Sequence, residues 1–140
     1  MAAVKGKNTK PEIAIRKLLH AQGYRFRLHR KDLPGTPDIV LPKYKIAIFI
    51  NGCFWHQHEG CKHAALPSTH RDFWEAKLTA NKQRDQRNTA ALRALGYTVL
   101  TIWECQLKTI LNQGHIPSLP QRSYEALADQ AMIAADNNEI

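Results

Sequence analysis

Cys53, His58, Cys61 and Cys105 are the residues whose types and spacing constrain chemistry most tightly. Four residues separate Cys53 from His58, two separate His58 from Cys61, and Cys105 follows after 43 more. Three thiolates and one imidazole make a soft tetrahedral donor set that suits structural zinc and leaves no open position for catalysis. His63 is a rival imidazole. His56 is a weaker one, because His56 and His58 face opposite ways if the segment is extended. Packing of Cys53 and Cys105 as small apolar thiols is the alternative, but it leaves their grouping with histidine unexplained. A second kind of chemistry is suggested by carboxylates. Asp38 follows the tight turn Leu33-Pro-Gly-Thr-Pro37, and Glu12 sits near the start of a helix-like stretch. Isolated carboxylates near strand ends in a basic chain are candidates for holding Mg²⁺ against phosphate oxygens. For Asp38 alone, capping a turn is the commoner role.

The elements that must position these residues follow from patterning. Thr9 can cap a helix whose first turn holds Pro11 and Glu12; Ile13, Ile15, Leu18 and Leu19 give it an apolar face, and Gly23 stops it. Tyr24 to Leu28 alternates apolar and basic residues, the period of a half-buried strand. Ile39-Val40-Leu41 and Lys45 to Ile50, joined by Pro42-Lys43-Tyr44, read as a hairpin of mostly buried strands. Asn51 to Leu66 has neither period and reads as an ordered loop. A long helix is predicted from Arg71 to Leu95, stopped by Gly96 and polar on every side between Asn81 and Asn88. Tyr97 to Ile102 is a predicted strand, Trp103 to Leu111 a short helix, and Gln121 to Ala135 a last helix before a fraying tail. The order α, β-hairpin, α, β, α implies an α/β domain with a mixed sheet flanked by helices.

The 140 residues suit a single domain, 1–140, with a core over about 6–111 and a C-terminal helix and tail over 112–140. Hydrophobic residues at 44% and charged ones at 23% describe a globular chain and argue against wholesale disorder. There is no apolar run of the ~18–20 residues a membrane helix needs, and residues 1–8 carry no apolar core of a secretory signal. A reducing, cytoplasmic setting is therefore expected, where clustered Cys and His more often bind metal than pair with one another. The net charge of +8 points to a polyanionic partner, with nucleic acid the first candidate.

Several motifs together resemble one family. Pro37-Asp38, the strand running into Gly52-Cys-Phe-Trp-His56, then Phe73-Trp74 and Trp103-Glu-Cys105 are similar to the very short patch repair (Vsr-type) DNA mismatch endonucleases. The similarity runs from about Gly6 to Cys105. It implies a restriction-endonuclease-like fold of the PD-(D/E)XK type and a Mg²⁺-dependent, zinc-stabilised enzyme. Such an enzyme nicks one strand beside a T:G mismatch left by deamination of 5-methylcytosine. Carried over by position, Asp38 would ligate Mg²⁺, joined by the main-chain carbonyl of Ile50. His56 would be the catalytic imidazole and Glu12 would support the water network. Cys53, His58, Cys61 and Cys105 would hold the structural zinc, in agreement with their spacing.

The resemblance also implies that Phe54, Trp55 and Trp74 wedge into the duplex, at a cost of a few kcal/mol that is least where pairing is already wrong; ordinary core packing is the alternative, for Trp74 above all. Lys77, Asn81, Arg84 and Asn88 recur along one face of the long helix; a solvated face is the usual meaning of such a stripe, but the missing apolar residues mid-helix favour contact with a groove or its phosphates, and Lys5, Lys7 and Lys10 would add phosphate contacts. The sequence departs from many relatives at Asn51, where they carry His, and at Ile50, where a hydroxyl residue can stand. The resemblance also implies double-stranded DNA as partner, action as a monomer at the nucleoid, and mismatch-repair proteins as further candidate partners. Two alternatives stand beside it: a restriction-type endonuclease cutting matched DNA, and a catalytically inert zinc-containing DNA-binding module.

Overall fold

The computed structural model describes residues 9–119. The expected helix over 121–135 and the basic residues Lys5 and Lys7 lie outside that range. Helix α1 spans Lys10–Ala21, and Thr9 caps it, its hydroxyl accepting from the Glu12 N–H at 3.4 Å. The strands are β1 (Arg27–Leu28), β2 (Ile39–Leu41), β3 (Ile46–Asn51) and β4 (Thr98–Trp103), with α2 over Arg71–Ala94 and α3 over Leu107–Gln113. The strand expected over Tyr24–Leu28 is therefore only its last two residues. Upstream of it, Tyr24 N–H returns to the Leu19 carbonyl at the end of α1, and the Tyr24 ring is buried in the core. The helix expected from Trp103 is also displaced. Trp103 closes β4, a 3₁₀ turn covers Glu104–Gln106, and the α-helix begins at Leu107.

The strands form one mixed sheet in the order β1-β2-β3-β4, antiparallel across the first two pairs and parallel between β3 and β4. A parallel pair needs a long crossover, and the loop after β3 together with α2 supplies it. Both faces of the sheet are covered, which is why β2 and β3 read as unbroken apolar runs. Ile39, Leu41, Ile46 and Ile48 face one side, with Ile15 and Leu19 of α1 and Ile110 of α3. Val40 and Ala47 face the other, against Leu33 and Leu92 of α2. Emptying the fully buried Leu92 to alanine should cost about 2–5 kcal/mol.

One close approach ties α2 to the turn before β2. Gly35 has φ +76°, and a Cβ there would meet the Asn88 side chain at 3.0 Å. The turn can rest on the helix only with glycine at this position, and it delivers Asp38 to the sheet rim.

Candidate active site and metal centre

A cleft of about 920 Å³ opens at the rim where β2 begins and β3 ends. Glu12, His29, Asp38, Ile50, His56 and Asp85 line it, with Phe54 and Trp55 at one wall. Each comes from a different local device. Glu12 is in the first turn of α1, where the helix dipole favours an acid. Asp38 immediately precedes β2, and its Oδ2 accepts from the Ile50 N–H of neighbouring β3 at 2.8 Å. Burial is the main influence on the Asp38 carboxyl and pushes its pKa up to about 6; the Ile50 hydrogen bond opposes this, and the nearby Glu12 charge adds to it. A largely buried acid raised in this way is a carboxylate whose ionised form a nearby cation would favour.

Glu12 itself is buried, with Arg16 paired to its Oε2 and His29 Nε2 at 2.6 Å from the same oxygen. One Glu12 oxygen, one Asp38 oxygen and one His29 nitrogen all lie within 4.8 Å of one another. The donor chemistry fits a divalent cation.

His56 lies in a run of turns, its N–H bonded to the Gly52 carbonyl at 3.2 Å. The extended stretch that would have set His56 and His58 on opposite sides is not what forms. Each imidazole nevertheless has its own surroundings: His56 Nδ1 meets Asp85 Oδ2 of α2 at 2.6 Å, while His58 turns to the cysteines. With Nδ1–H donating to the carboxylate, the Nε2 lone pair of His56 is the one left for proton transfer.

Cys53, His58, Cys61 and Cys105 converge, with one ligand atom from each within 4.8 Å of the others. Cys105 Sγ is 3.4 Å from His58 Nδ1, and the His58 ring stacks on Trp103 with centroids 4.1 Å apart and planes inclined by 8°. His63 is not in the group. Register explains the meeting of distant residues: Asn51 pairs with Trp103 at the ends of β3 and β4, so both chains leave the sheet side by side. Desolvation and the neighbouring Cys53 and Cys61 push the Cys105 thiol up to about 11. Desolvation also acts upward on Cys61, but hydrogen bonds from the His63 N–H and the other two thiols outweigh it and its pKa falls. The thiols cannot all ionise without a cation among them, and a tetrahedral soft metal fits the set.

Phe54, Trp55 and Trp74 form an edge-to-face cluster with centroids 5.2–5.9 Å apart, and the 60% exposed Phe73 adds to it at 5.2 Å from Trp74. The polar stripe of α2 is partly occupied within the chain. Asn81 donates to the Trp55 carbonyl at 3.2 Å, Arg84 donates to Asn81 at 3.2 Å, and Asn88 packs on the Gly35 turn. Lys77 and Arg84 are exposed, as is Lys10. Sequence reasoning missed His29 and Asp85. The signal for Asp85 was a lone acid inside Asn81-Lys-Gln-Arg-Asp-Gln-Arg-Asn88; for His29 it was its place across a hairpin from Asp38.

Residues 1–63 match the family model described as DNA mismatch endonuclease Vsr. The chain is 54% identical over 110 residues to the type II nicking enzyme V.XorIIP of Xanthomonas oryzae pv. oryzae, covering 79% of this chain and 80% of the relative. It is 41% identical over 108 residues to the DNA mismatch endonuclease Vsr of Escherichia coli K12, covering 77% and 69%. The chain belongs to the Vsr endonuclease family. Between these two in similarity is the type II nicking enzyme V.NmeAIP of Neisseria meningitidis serogroup A, 45% identical over 108 residues, with 77% and 76% covered. As a Vsr-family member the chain is a DNA endonuclease. Among the described residues no helix is long and apolar enough to cross a membrane.

Proposed function

We propose that this endonuclease nicks one strand of duplex DNA beside a T:G mismatch, using Mg²⁺ at the Asp38 cleft and zinc at the Cys53–His58–Cys61–Cys105 centre, on a restriction-endonuclease-like core. The observation that carries the reading is the pairing of His56 with Asp85 in the same cleft as the raised Asp38 carboxyl. Mg²⁺ held by Asp38 and the Ile50 carbonyl would supply polarisation of the scissile phosphate and charge for the leaving oxygen. Asp85 fixes the His56 ring and its tautomer, and His56 Nε2 takes the proton of the attacking water. Glu12 orders water at the cation. The cluster of Phe54, Trp55 and Trp74 enters the duplex where stacking is already weak, while Lys10, Lys77 and Arg84 hold phosphates. The setting is the cytoplasm, with nucleoid DNA as substrate and the enzyme working as a monomer alongside mismatch-repair proteins.

The test uses end-labelled duplexes that differ only by T:G or T:A at one site, incubated with Mg²⁺ and either the natural chain or Asp38→Ala. Single-strand nicking of the T:G duplex alone, absent with Asp38→Ala, is the expected result. Equal cutting of both duplexes would establish the restriction-type alternative, and binding without cleavage the inert module.

A further inference from the structure

His29 has no role assigned by sequence reasoning, yet it stands inside the cleft against both carboxylates. Its backbone N–H donates to the Asp38 carbonyl at 3.1 Å, so hairpin pairing fixes residue 29 opposite residue 38. Its side chain then reaches back toward α1. His29 Nε2 comes within 2.6 Å of Glu12 Oε2, but the two are not aligned for a hydrogen bond. The nitrogen atom is buried and has no hydrogen-bond partner. Glu12 Oε2 is already matched by Arg16, so the carboxylate has its countercharge without the imidazole. An imidazole nitrogen 2.6 Å from one carboxylate oxygen with no aligned hydrogen bond, and within 4.8 Å of a second carboxylate oxygen, is placed to share a cation with both.

We infer that His29 Nε2 is a third side-chain donor to the Glu12–Asp38 cation site, and that this nitrogen shifts the site's preference from Mg²⁺ toward Mn²⁺. The inference rests on the reading of Asp38 as a cation ligand and goes beyond it in the ligand set, which takes Glu12 directly rather than through water, and in the metal class. Mg²⁺ keeps an all-oxygen octahedral shell and sheds water reluctantly. First-row transition ions accept imidazole readily, and Mn²⁺ shares the carboxylate chemistry of Mg²⁺ while tolerating nitrogen. A Glu-His-Asp set therefore discriminates between two ions that an all-carboxylate set would treat more alike.

The test titrates Mn²⁺ into the full chain, loaded beforehand with one equivalent of Zn²⁺, and follows bound Mn²⁺ by electron paramagnetic resonance. Echo-envelope modulation then reports directly bound nitrogen. The variants are His29→Asn, which tolerates the left-handed backbone at φ 47°, His29→Gln, His56→Gln and Asp38→Ala. Nitrogen modulation is expected in the natural chain and in His56→Gln and absent from both His29 variants. Their Mn²⁺ dissociation constant should rise about tenfold while Mg²⁺ competition changes less than about threefold. Nitrogen modulation persisting in both His29 variants, or an unchanged Mn²⁺ constant, overturns the role of His29 alone. Undiminished Mn²⁺ binding by Asp38→Ala overturns the cation site itself, and the inference with it.

Discussion

The molecule carries two groups of metal-type ligands on either side of the β2–β3 hairpin, and they are built in opposite ways. Glu12, His29 and Asp38 stand on or against the core: a capped helix, a hairpin return, the residue just before a buried strand. Cys53, His58 and Cys61 sit on a loop made of turns and a short 3₁₀ segment, with Cys105 in a turn beyond β4. The oxygen-rich group is held by the fold. The sulfur-rich group, on the proposed reading as a metal centre, would in turn hold its loop, in which Cys53 is the one deeply buried ligand. A site that the scaffold supports can be ruined without unfolding anything, whereas a site that supports the scaffold cannot.

Asp38 gives the sharpest way to break that contrast. Asp38→Asn should abolish nicking, by more than about 10³-fold, yet leave the metal-free protein at least as stable. Its folded pKa is raised, so ionisation opposes folding: the stabilising contribution is complete below pH ~4 and lost as pH rises through about 6. At neutral pH the asparagine variant should gain on the order of 1–2 kcal/mol in thermal unfolding under chelation. Cys105→Ser should behave in reverse. Zinc content and melting temperature fall together, by several kcal/mol in stability, and nicking is lost through the loop; Mn²⁺ or Mg²⁺ binding at Asp38 survives. If Cys105→Ser also empties the Asp38 site, the two centres are one unit and the contrast fails.

Asp85→Asn should lower the nicking rate about 10²-fold with little change in stability or KM, as expected when a ring loses its tautomer partner. The same cleft sets a smaller, graded effect. Protons compete with the cation for Asp38, so the apparent cation affinity should weaken about tenfold per pH unit below about 6 and level off above it, read from nicking rates against Mg²⁺ concentration at each pH. The smallest effect expected is at Trp103. Trp103→Leu removes the stacked face of His58 and should weaken zinc retention against a chelator by about tenfold or less, without touching the Asp38 site.

The sulfur-rich group was legible because its chemistry is written in residue types: three cysteines and a nearby histidine have few other uses in one chain. The sheet was legible because β2, β3 and β4 are short runs bounded by turn residues. The oxygen-rich group was only half legible. Asp38 and Glu12 stood out through position and resemblance, but a carboxylate has many ordinary roles, and His29 and Asp85 acquire meaning only from pairing across a hairpin and across the helix–loop contact. The polar middle of α2 was read as a surface for DNA. Part of that polarity serves the interior, since Asn81, Asp85 and Asn88 each hold a loop segment against the helix. Periodicity cannot separate those two uses, because both demand the same residue types on the same face.

The side-by-side exit of β3 and β4 also sets an order of events. Asn51 and Trp103 are register partners, so the soft ligand set is complete only after the strand that follows the whole crossover has docked. A folding route has to close that long crossover before Cys105 can meet the other three ligands. On a ribosome, the loop bearing His56 would emerge well ahead of Cys105 and wait unfinished. On the proposed reading, the sulfur-rich centre beside the cleft is thus completed late in synthesis.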